Sequence, residues 1–361
     1  MKIVFDNIIY SLQHYGGVSV VWNNLVSRIV HTGHDVQFVE YDDAQQNISR
    51  QLLQLPPERL HIRSSFLMAL RRYFNPQLPQ SITRRLDEGG RQPFIFHSSY
   101  FRISTDPRAI NVTTVHDFTY ELFVQNWLKR WLHCRQKHAA IRKSQHVVCI
   151  SDNTRRDLLR ILPDVDPAKV HVIYNGVESG RFYPLEGVEH QDFALFVGRR
   201  DHYKNFHAIL HPLAELGITL RIVGETLSSK ELLLLQQSGI RYHYCGMVSD
   251  EELNRLYNQA LFLFYPSCYE GFGLPVLEAQ MAGCPVLAFN ASSIPEIIGD
   301  STLLLNDISA QSIRPYLQRF RDPLSRQAVI ADGLLNAARF SWDRTAEQYL
   351  QIYQQGINSM N

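Results

Sequence analysis

Short apolar runs alternate along the chain with segments whose apolar residues recur every three or four positions. Residues 2–6, 35–40, 94–96, 112–115, 146–150 and 170–173 read as strands. Between them, 18–30, 127–143 and 152–161 have helical periodicity. After a polar segment at 184–192 the rhythm restarts. Residues 193–197, 219–223, 241–245, 261–264, 285–288 and 302–305 form a second strand series, most of them separated by helical segments. Strands that are apolar almost throughout, with helices between, predict parallel sheets covered on both faces. The fold class expected is α/β, with two Rossmann-like domains. Their boundaries are set at 1–185 and 186–340. Residues 341–361 hold a last helix, at 343–355, with no strand after it, expected to cross back to the N-terminal domain.

A chain of 361 residues is long enough for two domains, and its net charge of +1 excludes an overall nucleic-acid binder. The charge is unevenly spread: residues 1–185 hold 23 Lys+Arg against 16 Asp+Glu, and residues 186–361 hold 13 against 19. Five scattered cysteines form no CxxC pair, which fits a reducing compartment. No signal peptide or membrane-spanning run is read, so the expectation is a cytoplasmic protein, soluble or peripheral to a membrane.

The chemistry centres on Tyr269-Glu270-Gly271-Phe272-Gly273-Leu274-Pro275-Val276-Leu277-Glu278-Ala279. An apolar run ending at Tyr265 leads in, and a helix-like run from Pro275 leads out. Glycines allow close backbone approach, and proline suits a first helical turn. The unpaired amides of that turn favour an anion such as phosphate. Glu270 and Glu278, separated by seven residues, flank this loop. A ligand with a central diphosphate and hydroxyl-rich ends fits, and a nucleotide sugar is one. The plainer alternative, a loop glutamate and a solvated helix glutamate, does not account for the glycines, the proline and the preceding strand together.

Other segments carry the same chemistry. Gly16-Gly17 follow the first strand. His116-Asp117 end the strand at 112–115. Arg199-Arg200 and Lys204-Asn205 follow the strand at 193–197, where two cations can neutralise a diphosphate. Gly246-Met247-Val248-Ser249 precede an acidic helix start. This ordered set resembles the retaining glycosyltransferases of the GT-B fold, especially glycosyltransferase family 4, over nearly the whole chain. Ile150-Ser151, Ile173-Tyr174-Asn175-Gly176-Val177 and Ser293-Ile294-Pro295-Glu296 also fit that family.

The resemblance implies two domains facing across a cleft, and roles for individual residues. His116 touches the donor sugar, with Asp117 supporting it. Glu270 binds sugar hydroxyls and offers charge to an oxocarbenium-like transition state. Lys204 with Arg199 or Arg200 holds the diphosphate, both arginines being compatible with the pattern. Glu278 anchors the ribose and Gly246, Met247 and Val248 the base; Phe272, Gly273 and Leu274 face the diphosphate and sugar, and Gly16 and Gly17 let their loop approach the diphosphate or the acceptor. Retention of configuration is implied, and a same-face mechanism is preferred because no carboxylate can be assigned as nucleophile. Arg200-x-x-Tyr203-Lys204-Asn205-Phe206 is similar to bacterial surface polysaccharide transferases, several of which use GDP-mannose; a UDP-sugar remains open.

No metal or other cofactor is expected. Asp164-Val165-Asp166 is formally a DxD, but between Pro163 and Pro167 it reads as a surface turn. The stretches 66–74 with Arg84-Arg85, and 127–143, mix aromatic and basic residues, which suits an anionic membrane surface; a helix packed in the domain with a solvated basic face is the competing reading. The acceptor is then a saccharide or a lipid-linked saccharide. Two alternatives stand beside transfer: a GT-B sugar-nucleotide epimerase, and a catalytically silent nucleotide-sugar-binding subunit.

Overall fold

In a computed structural model of the chain, residues 1–64, 77–78 and 92–360 are described. They form two compact units: Met1–Asn175 with Trp342–Asn361, and Gly176–Ser341. The division falls ten residues before the 185/186 boundary read from sequence. Residues 176–185 thus belong to the second unit, where Tyr183 and Leu185 donate main-chain N–H groups to Asn254 and Asn258.

The first unit is built on strands β1 (Lys2–Asp6), β2 (Asp35–Tyr41), β3 (Leu60–Arg63), β4 (Gln77–Leu78), β5 (Phe94–Ser98), β6 (Ile103–Ser104), β7 (Ala109–Val115), β8 (His146–Cys149) and β9 (Val170–Val172). Seven of them make a parallel sheet in the order β3-β2-β1-β5-β7-β8-β9, while β4 pairs with β6. All seven residues of β7 are buried, as expected for a strand covered on both faces. The strand order reverses between β1 and β5, which opens a crevice at their carboxyl ends. His116 follows β7, the strand next to β5.

The C-terminal helix Trp342–Met360 belongs to this unit. Its Ala346, Tyr349, Ile352 and Tyr353 share one core with Phe5, Trp22, Phe38 and Ile95. A buried polar chain reinforces the packing. Tyr353 Oη lies 2.6 Å from His97 Nδ1, His97 Nε2 lies 2.9 Å from Thr114 Oγ1, and Thr114 Oγ1 lies 2.8 Å from Tyr349 Oη. Burial pushes His97 down to about 3, so its ring is neutral and pairs as one donor and one acceptor.

The second unit contains β10 (Phe193–Val197), β11 (Thr219–Val223), β12 (Tyr242–Gly246), β13 (Phe262–Tyr265), β14 (Val286–Phe289) and β15 (Leu304–Leu305), all parallel, in the order β12-β11-β10-β13-β14-β15. Here the order reverses between β10 and β13. The loops leaving these two strands therefore diverge to opposite faces and leave a crevice between them. Lys204 lies on the first loop and Glu270 on the second.

Candidate active site

The crevice of the second unit brings Lys204 and Glu270 together. Lys204 Nζ lies 2.6 and 2.7 Å from the two carboxylate oxygens of Glu270. Lys204 ends a single 3-10 turn, His202–Lys204, whose chain then enters the left-handed region at Asn205 (φ 55°). Cys268 donates its main-chain N–H to the Tyr203 carbonyl at 2.8 Å, tying the two loops to each other. The Glu270 main-chain N–H donates to Ser292 Oγ at 2.8 Å. Ser293 Oγ donates to the carbonyls of Glu270 and Phe272 at 3.0 and 2.9 Å. The glycine loop is thus held from the loop leading into the Ile294–Ile298 helix. Tyr265 sits close to both glutamates: burial first, then Glu270 and Glu278, raises its phenol.

Gly273 has φ 112°, a conformation closed to most side chains, and a Cβ there would meet Ile294 Cδ1 at 3.1 Å. It precedes the Leu274–Met281 helix, whose first turn has Pro275 and no side-chain cap. The first-turn amides therefore lie at the mouth of the crevice, suited to an anion. Glu278 is one turn further along. Tyr257 Oη donates to its Oε2 at 3.1 Å. Burial pushes this carboxyl up to about 7, opposed by the Tyr257 bond, with Asp250 raising it further and Arg181 lowering it.

The two arginines face different ways. Arg200 is almost fully covered, with its Nε 2.5 Å from Glu231 and its Nη2 bonded to the carbonyls of Glu225 and Thr226. Glu231 closes the capping box of the Ser229–Ser238 helix. Arg200 is thereby tied to the helix start through Nε and Nη2, while its Nη1 is buried without a hydrogen-bond partner among the described residues. Arg199 is exposed, with Asp201 at 3.3 Å. Gly246 closes β12 with φ 74°, and its carbonyl accepts from Gly224 N. Met247 beyond it is exposed and Val248 half-buried.

In the first unit, Gly16 is extended and Gly17 opens the Gly17–Ile29 helix, with the Gly16 carbonyl accepting from Ser19 Oγ and Val20 N. His116 is half-buried. Burial pushes it down to about 4 against the pull of Asp117, with Lys137 adding to the depression. The ring is therefore neutral at pH 7, able to donate from one nitrogen and accept at the other. Asp117 Oδ1 accepts from Thr119 N at 2.9 Å, which closes the turn after His116.

Sequence reading missed Lys137, Glu121 and His97. Glu121 lies between Lys137 Nζ at 2.6 Å and His138 Nε2 at 2.9 Å. Burial alone would raise its carboxyl, but these two partners hold it at about 2. With Cys134, Glu121 and His138 bring metal-ligand atoms within 4.8 Å of one another. Both carboxylate oxygens of Glu121 are already taken, and burial pushes the Cys134 thiol up to about 11. The cluster is an ion-pair network rather than a metal site. Asp164 of the DxD faces Arg142 at 2.7 Å and Asp166 caps Ala168, as a surface turn would.

A crevice at the reversal of a parallel sheet, holding a lysine–glutamate pair beside an anion-suited helix start, is where open parallel sheets take their ligands. Residues 15–181 match the family model Glycosyltransferase Family 4, and residues 185–320 match Glycosyl transferases group 1. The chain belongs to the family 4 glycosyltransferases, and its fold is GT-B. It is 30% identical over 287 residues to the Escherichia coli O-antigen chain mannosyltransferase B, covering 72% of this chain and 74% of that one. It is 27% identical to a Mycolicibacterium hassiacum MMP alpha-(1->4)-mannosyltransferase over 68% of this chain and 65% of that protein. Among solved structures, Anabaena Alr3699/HepE in complex with UDP and glucose superposes with a TM-score of 0.75 at 16% identity, over 98% of this chain and all of that one.

Proposed function

We propose that this glycosyltransferase moves a hexose, with mannose from GDP-mannose as first candidate, from a nucleotide-diphosphate sugar to a saccharide or lipid-linked saccharide during bacterial surface polysaccharide synthesis. The observation that carries the reading is the Lys204–Glu270 pair at the β10/β13 reversal. A diphosphate entering there meets an ammonium already held in place, and the leaving group gains negative charge as the sugar departs. Glu270, on the other side of that ammonium, is left to accept sugar hydroxyls. Glu278 accepts from the ribose, Arg199 reaches the diphosphate, and His116 bonds the sugar. The mannosyltransferase relatives support the choice of sugar. The UDP complex of the Anabaena structure keeps a UDP-sugar as the competing donor.

Transfer proceeds with retention on one face of the sugar, the departing phosphate taking the acceptor proton. It needs no metal, because Lys204, Arg199 and the helix amides handle the phosphate. Among the described residues no helix is long and apolar enough to cross a membrane. The Trp127–Lys143 helix exposes Trp127, Leu128 and Trp131 among Lys129, Arg130 and Arg135, which supports docking on an anionic, cytoplasmic membrane face. The other basic-aromatic stretch, 66–74 with Arg84 and Arg85, lies outside the described residues.

The test is a thermal-shift screen of nucleoside diphosphates and their sugars, followed by transfer assays with and without chelator. Stabilisation by GDP and GDP-mannose above all others, with release of GDP only when an acceptor is present, is the expected result. Preference for UDP would move the donor. Inversion of the product anomer would sink the mechanism.

A further inference from the structure

Lys137 lies on the inward face of the Trp127–Lys143 helix, and its side chain has no exposure to solvent. Its ammonium donates to Glu121 Oε2 at 2.6 Å and to the Asp117 carbonyl at 3.0 Å. It also sits 4.3 Å from the centre of the Phe118 ring, a cation–π distance. Three groups of the segment 117–121 therefore converge on it: the Asp117 carbonyl, the Phe118 ring and the Glu121 carboxylate.

A buried ion pair is a weak source of stability. Well-packed apolar residues of similar volume usually do as well or better. What an apolar pair cannot do is hold a main-chain carbonyl at a fixed point. Asp117 is the residue after His116, and its side chain already closes the turn through Thr119 N. With its carbonyl held by Lys137, both polar ends of Asp117 are engaged. The strand end at Val115 fixes the other side of His116, because Val115 pairs with Cys149 in the buried sheet.

We infer that Lys137 is a positioning residue for sugar transfer: its ammonium, set by Glu121, pins the Asp117 carbonyl and with it the direction of the His116 ring. This rests on the transferase reading of His116 given above. Lys137 touches no substrate. The same charge beside the ring also favours the neutral imidazole, the form that offers both a donor and an acceptor to a hydroxyl.

The test uses the full chain and four variants. K137M leaves Glu121 buried without its cation, and so is paired with E121Q/K137M, which removes both charges at nearly constant volume. Lys137 lies in the first unit, so Kd for GDP or UDP, whichever the wild type binds, is expected to stay within about twofold. In E121Q/K137M, kcat falls by about 100-fold, the scale set by a small misplacement of a reacting group. In the H116A background the same double change costs little more, because its effect runs through the ring. The His116 imidazole, followed by NMR, titrates higher in K137M than in the wild type, because the Lys137 charge that lowers it is gone. A folded E121Q/K137M variant with wild-type kcat overturns the inference. So does a full additional loss in the H116A background. If H116A alone leaves transfer unchanged, the reading of His116 falls and this inference with it. If H116A is inactive while E121Q/K137M is active, only the role of Lys137 falls.

Discussion

The hydroxyl of Tyr257 donates to Glu278 at 3.1 Å, and this bond offsets only part of what burial costs the carboxylate. With the carboxyl raised to about 7, it is partly protonated at neutral pH. In the ribose role proposed for Glu278, sugar hydroxyls would donate to the ionised form and pull the value down, so nucleotide binding would expel protons. Affinity for the nucleoside diphosphate therefore falls as pH drops from about 8 to 6. Calorimetry in buffers of different ionisation heat should register the proton release. Glu278→Gln should bind more weakly, with the pH dependence gone.

Lys204 and Glu270 hold each other in a mostly covered crevice, and removing one partner leaves the other uncompensated. Lys204→Met is expected to abolish detectable nucleotide stabilisation and to cost up to about 3 kcal/mol of folding stability. Lys204→Met/Glu270→Gln should recover most of the stability and none of the transfer. Denaturant melts alongside a transfer assay separate the two effects.

The adjacent arginines differ in exposure and in partner, and substitution separates their roles. Arg200 completes the start of the Ser229–Ser238 helix through Glu231, so Arg200→Met lowers the melting temperature of the protein. Arg199 is exposed, and Arg199→Met leaves the melting temperature unchanged while raising KM for the donor by about tenfold, one charge-assisted phosphate contact. Interchanged outcomes would return Arg200 to the phosphate.

Acid should weaken the first unit, while the second holds groups of both signs: burial raises Glu278, but against burial the Ser228 and Arg200 bonds lower Glu231, and burial lowers His190. In the first, burial lowers His97 and His133 to about 3 and His116 to about 4. Unfolded, each takes a proton near 6.5, so the unfolded state binds more protons below that value and stability is lost as pH falls through 6.5. In the second, Glu278 is raised, so its contribution to stability is full below its unfolded value of 4.5 and is lost as pH rises toward 7. Hydrogen exchange at about pH 5 should show earlier opening of residues 1–175 than of 176–341.

Much of this architecture was legible in the chain. Strand β10 was placed to the residue because its run is uniformly apolar and almost wholly buried; β11 was too, although Thr219 and Arg221 alternate with its buried positions. The Trp127–Lys143 helix was bounded correctly, but its inward lysine was not: among Lys129, Arg130, Arg135, Arg142 and Lys143, Lys137 reads as one more solvated charge. Only the folded positions of Glu121 and the Asp117 carbonyl distinguish it. Arg199 and Arg200 posed the same difficulty, since the partner that separates them, Glu231, is 31 residues away. The domain boundary was read at the polar segment 184–192, whereas residues 176–185 are bound to the second unit by main-chain hydrogen bonds that leave no compositional trace.

Tyr349 and Tyr353 close the first unit's core from the far end of the chain. A chain cut after residue 341 has the whole of the second unit and lacks the helix that completes the first. Such a chain should carry a protease-resistant second unit and an unprotected β5, and residues 342–361 added as a separate peptide should bring back the protection of β5.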